Sequence, residues 1–237
     1  MFRKKTAPPW VSAIIAAGGA STRMEGIDKQ SVFIDGVPVV AHSVRALMSC
    51  ALIREVVLVC PGNQVGHYYD MVNEYDLHLV SQVIGGGKTR QASVFSGIEA
   101  CSGQAEYFAI HDGARPLVTP QEVSACVAAA IEQGAAALGV KPKDTLKRMD
   151  AQGCIAGTIN REDTVAIHTP QVFAAKIYRQ AMALARCEGR DYSDDCQLVE
   201  RLGNRVQVVC GSYENIKITT PQDIIIARAL LQGVEEW

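Results

Sequence analysis

VSAIIAAGGASTRM, Val11 to Met24, runs from an apolar segment into a string of small residues and then a basic one. The apolar run is of strand length, with the composition of a strand covered on both faces. The residues that follow, Ala16 to Ser21, are nearly without side chain. A backbone that passes close to another object needs such residues, because a Cβ would collide with it. A buried strand feeding a small-residue loop that ends in Arg23 points to an α/β architecture and to a ligand at the loop.

Working outward, comparable apolar runs recur at 54–60, 77–83, 106–112, 135–140 and 205–210. Between them lie helical patterns at 38–50, 64–75, 90–101, 121–133 and 221–231. Strand and helix alternating at this spacing predict a mostly parallel central sheet with helices on both faces. Two helix starts are marked. Thr119-Pro120-Gln121-Glu122 sets a capping hydroxyl, a proline at the first helical position and a carboxylate three residues past the cap. Thr220-Pro221-Gln222-Asp223 repeats that order with Asp in place of Glu.

One segment departs from the alternation. Residues 141–163 are polar and punctuated by glycine, with two weak strand patterns, TLKRM and CIAGTI, on either side of the turn DAQG. This predicts a projecting hairpin. A two-stranded ribbon is marginal alone, so a second copy of the chain is the simplest support for it. The organisation expected is a basic, frayed leader over 1–10, a single domain over 11–231 with an arm at about 141–163, and a short tail over 232–237.

The 23 Lys and Arg nearly balance the 25 Asp and Glu, for a net charge of -2. No basic excess is present to bind nucleic acid or an anionic membrane without preference, so an anion site must be local. The 8 cysteines are scattered with no C-x-x-C pair, as expected of reduced thiols in a cytoplasmic protein. Arg3, Lys4 and Lys5 ahead of an apolar run imitate a secretory leader, but Pro8-Pro9 and Gly18-Gly19 interrupt it. No run approaches the ~18 apolar residues of a membrane span.

In an open parallel sheet, ligands sit at the carboxyl ends of strands, and the informative residues fall there. Lys29 lies shortly beyond Arg23, and two cations beside a loop of exposed amides suit phosphate oxygens; a tight turn with solvated charges is the plain alternative. The dinucleotide fingerprint G-x-G-x-x-G is not met, since Ala20 and Arg23 stand at its second and third glycines. Gly87-Lys88-Thr89 imitates the end of a Walker loop, but Gln82 occupies the place of its first glycine. A second glycine-rich ligand loop remains.

The run His111-Asp112-Gly113-Ala114-Arg115-Pro116 ends another strand. Asp112 could coordinate Mg²⁺, which prefers oxygen ligands, accept from sugar hydroxyls, or close a turn by pairing with Arg115. His111 reads as a packed strand-end residue. Lys217 stands in an otherwise apolar strand, Asn215 to Thr219, where it either leaves through an edge or reaches a phosphate. Ser193 reads as a helix N-cap with acids in the first turn. Arg23, Lys29, Arg115, Arg161 and Lys217 together place five cations in or beside candidate loops, a set suited to two phosphorylated substrates.

From about Val11 to Leu231, the chain resembles the 2-C-methyl-D-erythritol 4-phosphate cytidylyltransferase family, CTP-dependent enzymes of non-mevalonate isoprenoid synthesis. The resemblance rests on AAGGASTRM, Asp28-Lys29-Gln30, GGGKTRQASV, HDGARP, DTLK, the Thr158 to Arg161 run, HTPQVF and NIKIT, in the family's order. It implies a Rossmann-like nucleotidyltransferase fold with a β-arm that embraces the partner in a homodimer, and Mg²⁺ as the divalent cation. By position, Ala16, Ala17, Gly18, Gly86, Gly87 and Ser93 would hold CTP, with Asp112 and Gly113 beside it. Arg23 and Lys29 would stabilise the transition state, with Arg161 and Lys217 as further catalytic residues. The acceptor would meet Asp112, Arg115, Thr145, Thr169 and Ser193, together with Arg161 and Lys217, arm residues serving the neighbouring subunit. Asp112 would face the metal carried by the CTP phosphates. Lys88 stands where many relatives carry Asp, so no contact is carried over to it. A ribitol 5-phosphate cytidylyltransferase shares the fold and nucleotide loops and is the nearest alternative. A catalytically silent nucleotide-binding regulator is the alternative of another class.

Overall fold

The computed structural model describes residues 8–18 and 32–233. Arg23, Lys29, most of the basic leader and the end of the tail lie outside the described residues.

The chain builds a seven-stranded sheet in the order β11-β7-β10-β6-β1-β4-β5. Its strands are β1 (Val11–Ala16), β4 (Ile53–Cys60), β5 (Val80–Gly85), β6 (Tyr107–Asp112), β7 (Ala135–Val140), β10 (Ala166–Ala174) and β11 (Gln207–Cys210). All neighbours are parallel except β10, which runs antiparallel to both β6 and β7. Two short strands, β2 (Phe33–Ile34) and β3 (Val37–Pro38), form a separate ribbon ahead of helix α1 (Val39–Met48).

Both faces of the central strands are covered, which is why they read as unbroken apolar runs rather than alternating ones. Along β1, Val11, Ala13 and Ile15 enter one core with α1, α2 (Val65–Glu74) and α4 (Pro120–Gln133). Ile14 enters the other, with α3 (Arg90–Ala100), α5 (Ala175–Glu188) and α6 (Asp195–Arg201). At the edges the expectation fails: β5 and β11 are largely exposed. The strand predicted over 77–83 starts only at Val80, because Asp76 takes a left-handed φ of 51° and Leu77 closes that turn.

The caps behave as predicted at two starts. Thr119 and Glu122 exchange hydrogen bonds at the head of α4, and the Asp223 carboxylate accepts the Thr219 and Thr220 amides at the head of α7 (Pro221–Gln232). Ser193 does not cap α6: Asp194 does, accepting from the Gln197 amide, and the Ser193 hydroxyl takes the Gln197 side-chain amide instead. Ahead of α7, Asn215 to Thr219 form an extended connection and not a strand; the Ile218 amide donates to Ala114 O at 2.8 Å.

The projecting hairpin is present as β8 (Lys147–Met149) paired antiparallel with β9 (Ile155–Thr158). The Asp150 carboxylate accepts the Gln152 and Cys154 amides across the turn, and Gly153 takes a φ of 81° that L-residues avoid. Nearly every side chain of the hairpin faces solvent, Met149 and Ile155 included.

Candidate active site

The order of the sheet creates a crevice. From β1 the chain moves outward to β4 and β5, then returns to lay β6 on the other side of β1, and such a reversal is where open α/β sheets bind ligands. Register sets Ala16 level with Val59 on one side and Asp112 on the other. The loops beyond are stitched together at their first residues: Ala17 N–H to Val59 O at 2.7 Å, Gly113 N–H to Ala16 O at 3.0 Å, Gly86 N–H to Cys60 O at 2.8 Å. Gly18 follows directly beside the Cys60 carbonyl.

The second glycine loop folds back on the helix that follows it. Ser93 donates to Thr89 O at 2.9 Å and accepts the Gly87 amide at 3.1 Å. A Cβ on Gly86 would stand 2.6 Å from Ser93 Oγ, and one on Gly87 2.5 Å from Ala92 Cβ. These closures need glycine for space, and they press a run of backbone against the head of α3, where exposed amides favour an anion. Thr89 caps that helix through the Ala92 amide.

Beside this loop lies a chain of charges. Asp112, at the end of β6, receives Arg90 Nε on Oδ1 at 2.9 Å and Lys217 Nζ on Oδ2 at 2.6 Å. Burial alone would raise the Asp112 carboxyl; Arg90 first, then Lys217, outweigh it and hold it far below the usual carboxylate range. The turn-closing pair with Arg115 is not formed: Arg115 N–H donates to Asp112 O, while its guanidinium donates to Asn215 O at 2.6 Å. The Arg115 Nε stays without a partner among the described residues. The Lys217 side chain is 36% exposed, which leaves room for its ammonium to serve a ligand as well.

Thr169 is wired on two sides. Its hydroxyl accepts the Asp112 amide at 3.1 Å and lies 3.0 Å from His111 Nδ1. His111 Nε2 faces Arg115 O at 3.1 Å, so Nε2 carries the hydrogen and Thr169 donates to Nδ1. The Thr169 hydroxyl can therefore only accept from a further group, as from a substrate hydroxyl. Burial pushes the His111 imidazole down to about 4, keeping it a neutral structural link.

The structure brings Ala16, Ala17, Gly18, Gly86, Gly87, Ser93, Asp112, Gly113, Arg115, Thr169 and Lys217 to this one end of the sheet. Thr145 and Arg161 it does not bring there. Thr145 is exposed on the arm, and among the described residues Arg161 reaches its arm neighbours, Lys143 O at 3.5 Å and Glu162 at 3.7 Å. Ser193 is exposed beside α6.

The sequence reading missed Arg90. It opens α3 directly after the glycine loop and spans Asp112 and, with Nη1 at 2.7 Å, Asp195. Its place in the run GGGKTR was the available signal; its partners lie 22 and 105 residues away.

A mostly parallel sheet whose carboxyl end gathers a glycine loop and several cations defines an α/β nucleotidyltransferase fold. The 2-C-methyl-D-erythritol 4-phosphate cytidylyltransferase (IspD) family model matches residues 11–233, and the chain belongs to that family. It is 39% identical over 226 residues to the enzyme of that name from Pelotomaculum thermopropionicum, covering 94% of each chain. With the counterpart from Desulforamulus reducens it is 40% identical over 229 residues, covering 96% of this chain and 98% of the other. Among solved structures, 4-diphosphocytidyl-2C-methyl-D-erythritol synthase from Anaerococcus prevotii superposes with a TM-score of 0.85 at 30% identity, covering 96% of this chain and all of the other. The Thermus thermophilus cytidylyltransferase superposes at 0.77 and 31% identity, covering 94% and 98%.

Proposed function

We propose that the protein transfers CMP from CTP to 2-C-methyl-D-erythritol 4-phosphate, releasing pyrophosphate. The observation that carries this reading is the single charged crevice at the carboxyl ends of β1, β5 and β6. There a glycine loop lies beside a part-exposed lysine held on a buried aspartate. A phosphate oxygen of the acceptor attacks the α-phosphorus in line with the departing pyrophosphate. A phosphate monoester is already anionic near neutral pH, so the difficulty is holding anions together, not removing a proton.

In this reading the triphosphate lies along Gly86 and Gly87, and backbone groups from Ala16 to Gly18 read the base. Lys217 and Arg115 hold the acceptor's phosphate side, and Thr169 accepts from one of its hydroxyls. Arg23 and Lys29 meet the charge that develops on the α-phosphate. Asp112 does not fit the metal role expected of it, because both its oxygens already serve cations. Among the described residues no group of three or more His, Cys, Asp or Glu is placed to hold a metal ion. Magnesium suits the phosphate oxygens of the nucleotide itself, and no step is assigned to a protein-held ion.

The arm has exposed apolar side chains and few ties to its own body, which supports a homodimer in which Thr145 and Arg161 enter the partner's crevice. Eight free cysteines and no described helix long and apolar enough to cross a membrane fit a cytoplasmic enzyme. The experiment is pyrophosphate release with CTP and each acceptor in turn. Methylerythritol phosphate should be turned over well ahead of ribitol 5-phosphate; the reverse order would reassign the acceptor, and no release with either would overturn the reading.

A further inference from the structure

The charges around Asp112 continue inward, away from the crevice. Arg90 joins Asp112 to Asp195, and Asp195 in turn receives the Tyr178 hydroxyl on its other oxygen at 2.5 Å. The result is a string of alternating sign from Lys217 through Asp112 and Arg90 to Asp195. The side chains are 36% exposed at Lys217, 9% at Asp112, 27% at Arg90 and 1% at Asp195, so the two ends differ most. One end is a tip that can touch a ligand, and the other is an anchor.

The anchor is fixed from several directions. The Tyr178 ring is fully buried and packs against Phe95, Phe108 and Phe173, with centroids 6.5, 6.3 and 5.2 Å away. The Asp195 and Cys196 amides both donate to Gln171 Oε1 at 3.1 Å, which ties the head of α6 to β10. Burial, followed by the Asp195 carboxylate, pushes the Tyr178 phenol well above its ordinary value, so it remains a donor.

Arg90 matters because of its fork. One edge is spent on each carboxylate, so its plane is defined at both ends and Asp112 cannot turn without breaking a charge-assisted bond. Without Arg90, Asp112 Oδ1 would lose its guanidinium and the carboxylate could turn fully onto Lys217, holding that ammonium away from a ligand, while Asp195 would keep, among the described residues, only the Tyr178 hydroxyl on its carboxylate. We propose that Arg90 and Asp195 are positioning residues for the transfer: the buried Tyr178–Asp195 pair fixes Arg90, and Arg90 fixes Asp112 so that Lys217 is presented to the acceptor's phosphate. This rests on the cytidylyl-transfer reading above.

The test is steady-state pyrophosphate release from CTP and methylerythritol phosphate, with a thermal melt of each protein, for wild type, Arg90→Met, Arg90→Lys, Asp195→Asn, Tyr178→Phe and the Arg90→Met/Asp195→Asn double variant. A misplacement of about 1 Å costs on the order of 100-fold in rate. Arg90→Met and Asp195→Asn should therefore each lose 10- to 100-fold in kcat/KM for the acceptor, by an order-of-magnitude argument. KM for CTP should stay within about threefold, because the glycine loop is not part of the string. The double variant should be no worse than Arg90→Met alone by more than about twofold, since both act through one connection. Arg90→Lys should recover part of the loss, and Tyr178→Phe should lose only a few-fold.

Folded Arg90→Met and Asp195→Asn proteins that keep acceptor kcat/KM within about twofold of wild type, or a double variant whose losses multiply, would overturn the inference. Should Asp195→Asn fail to fold, Arg90→Met against Arg90→Lys decides: unimpaired turnover in Arg90→Met sinks the proposal. Wild type without turnover defeats the transfer reading and the positioning role with it. Active wild type beside active Arg90→Met defeats only the inference drawn here.

Discussion

The end of the sheet and the β8–β9 hairpin carry the two parts of the candidate site, and they are held in opposite ways. At the sheet end, Asp112 is buried, paired with two cations and hydrogen-bonded through its amide, and the residues around it come from strands that pack on both faces. Just past the hairpin, Arg161 is more than half exposed and, among the described residues, touches its own segment. A crevice built by burial can aim charges before a ligand arrives. An arm that buries little of itself has few contacts of its own to aim its charges. The difference teaches that one half of the proposed site is set by folding, while the other would depend on the proposed association.

The largest effects should come from the cations assigned to the reacting phosphates. Lys217→Ala, and likewise Arg23→Ala, should lower the rate by about 10² to 10³, as when one preorganised donor is deleted from an anion-stabilising site. Near-wild-type turnover in either, measured as pyrophosphate release, would remove that residue from the mechanism. Arg161→Ala should be nearly as inactive alone, but not in mixture. When Arg161→Ala and Lys217→Ala subunits are unfolded and reassembled together, half the dimers are mixed, each with one intact site, so about a quarter of wild-type activity should return if the arm serves its partner. No recovery would place Arg161 in its own subunit's crevice and erase the contrast.

A smaller effect should come from the glycine loop. Gly87→Ala drives a Cβ into Ala92 and should raise KM for CTP several-fold while leaving KM for the acceptor nearly unchanged. An effect confined to the acceptor would mean the two subsites have been exchanged.

The smallest effect concerns pH. Burial holds His111 at about 4 in the folded protein, against an ordinary value near 6.5. The unfolded chain therefore binds the proton more readily. The stability this neutral imidazole contributes is complete above about pH 6.5 and erodes as the pH falls toward 4. Between pH 7 and 5 the loss from this residue should be roughly 1 to 2 kcal/mol. Urea unfolding at the two pH values should show a flatter dependence for His111→Gln than for wild type; equal slopes would mean that His111 titrates in the fold as it does in the unfolded chain.

Much of the sheet was legible because its central strands are buried on both faces, and their apolar runs need no partner to be recognised. The caps at Thr119 and Thr220 were legible because a cap is a local arrangement. β10 was not, since it carries Pro170 and its pairing with β7 shifts between Ile167 and Gln171; a proline ordinarily argues against a central strand. α5 left a readable trace, with Ala175, Tyr178, Ala181, Met182 and Ala185 on one buried face and Gly189 closing it in the left-handed region, yet no helix was read there. Lys217 was singled out, but on a strand: its neighbours are apolar because Ile218 packs under α7 with Ile34 and Val39, not because the segment joins the sheet. The Arg90–Asp195 pair could not be read, because nothing local joins an arginine and an aspartate separated by 105 residues. Sequence offered candidates for the chemistry; the fold shows which of them hold one another.

The central claim is that one crevice, formed where β1, β5 and β6 end, brings two phosphate-bearing molecules together. A crystal structure of the protein with CTP and methylerythritol phosphate tests it most directly. The account predicts the triphosphate against the amides of Gly86 and Gly87 and the acceptor's phosphate within hydrogen-bond reach of Lys217. Either molecule bound elsewhere, with Lys217 still turned only to Asp112, would contradict it.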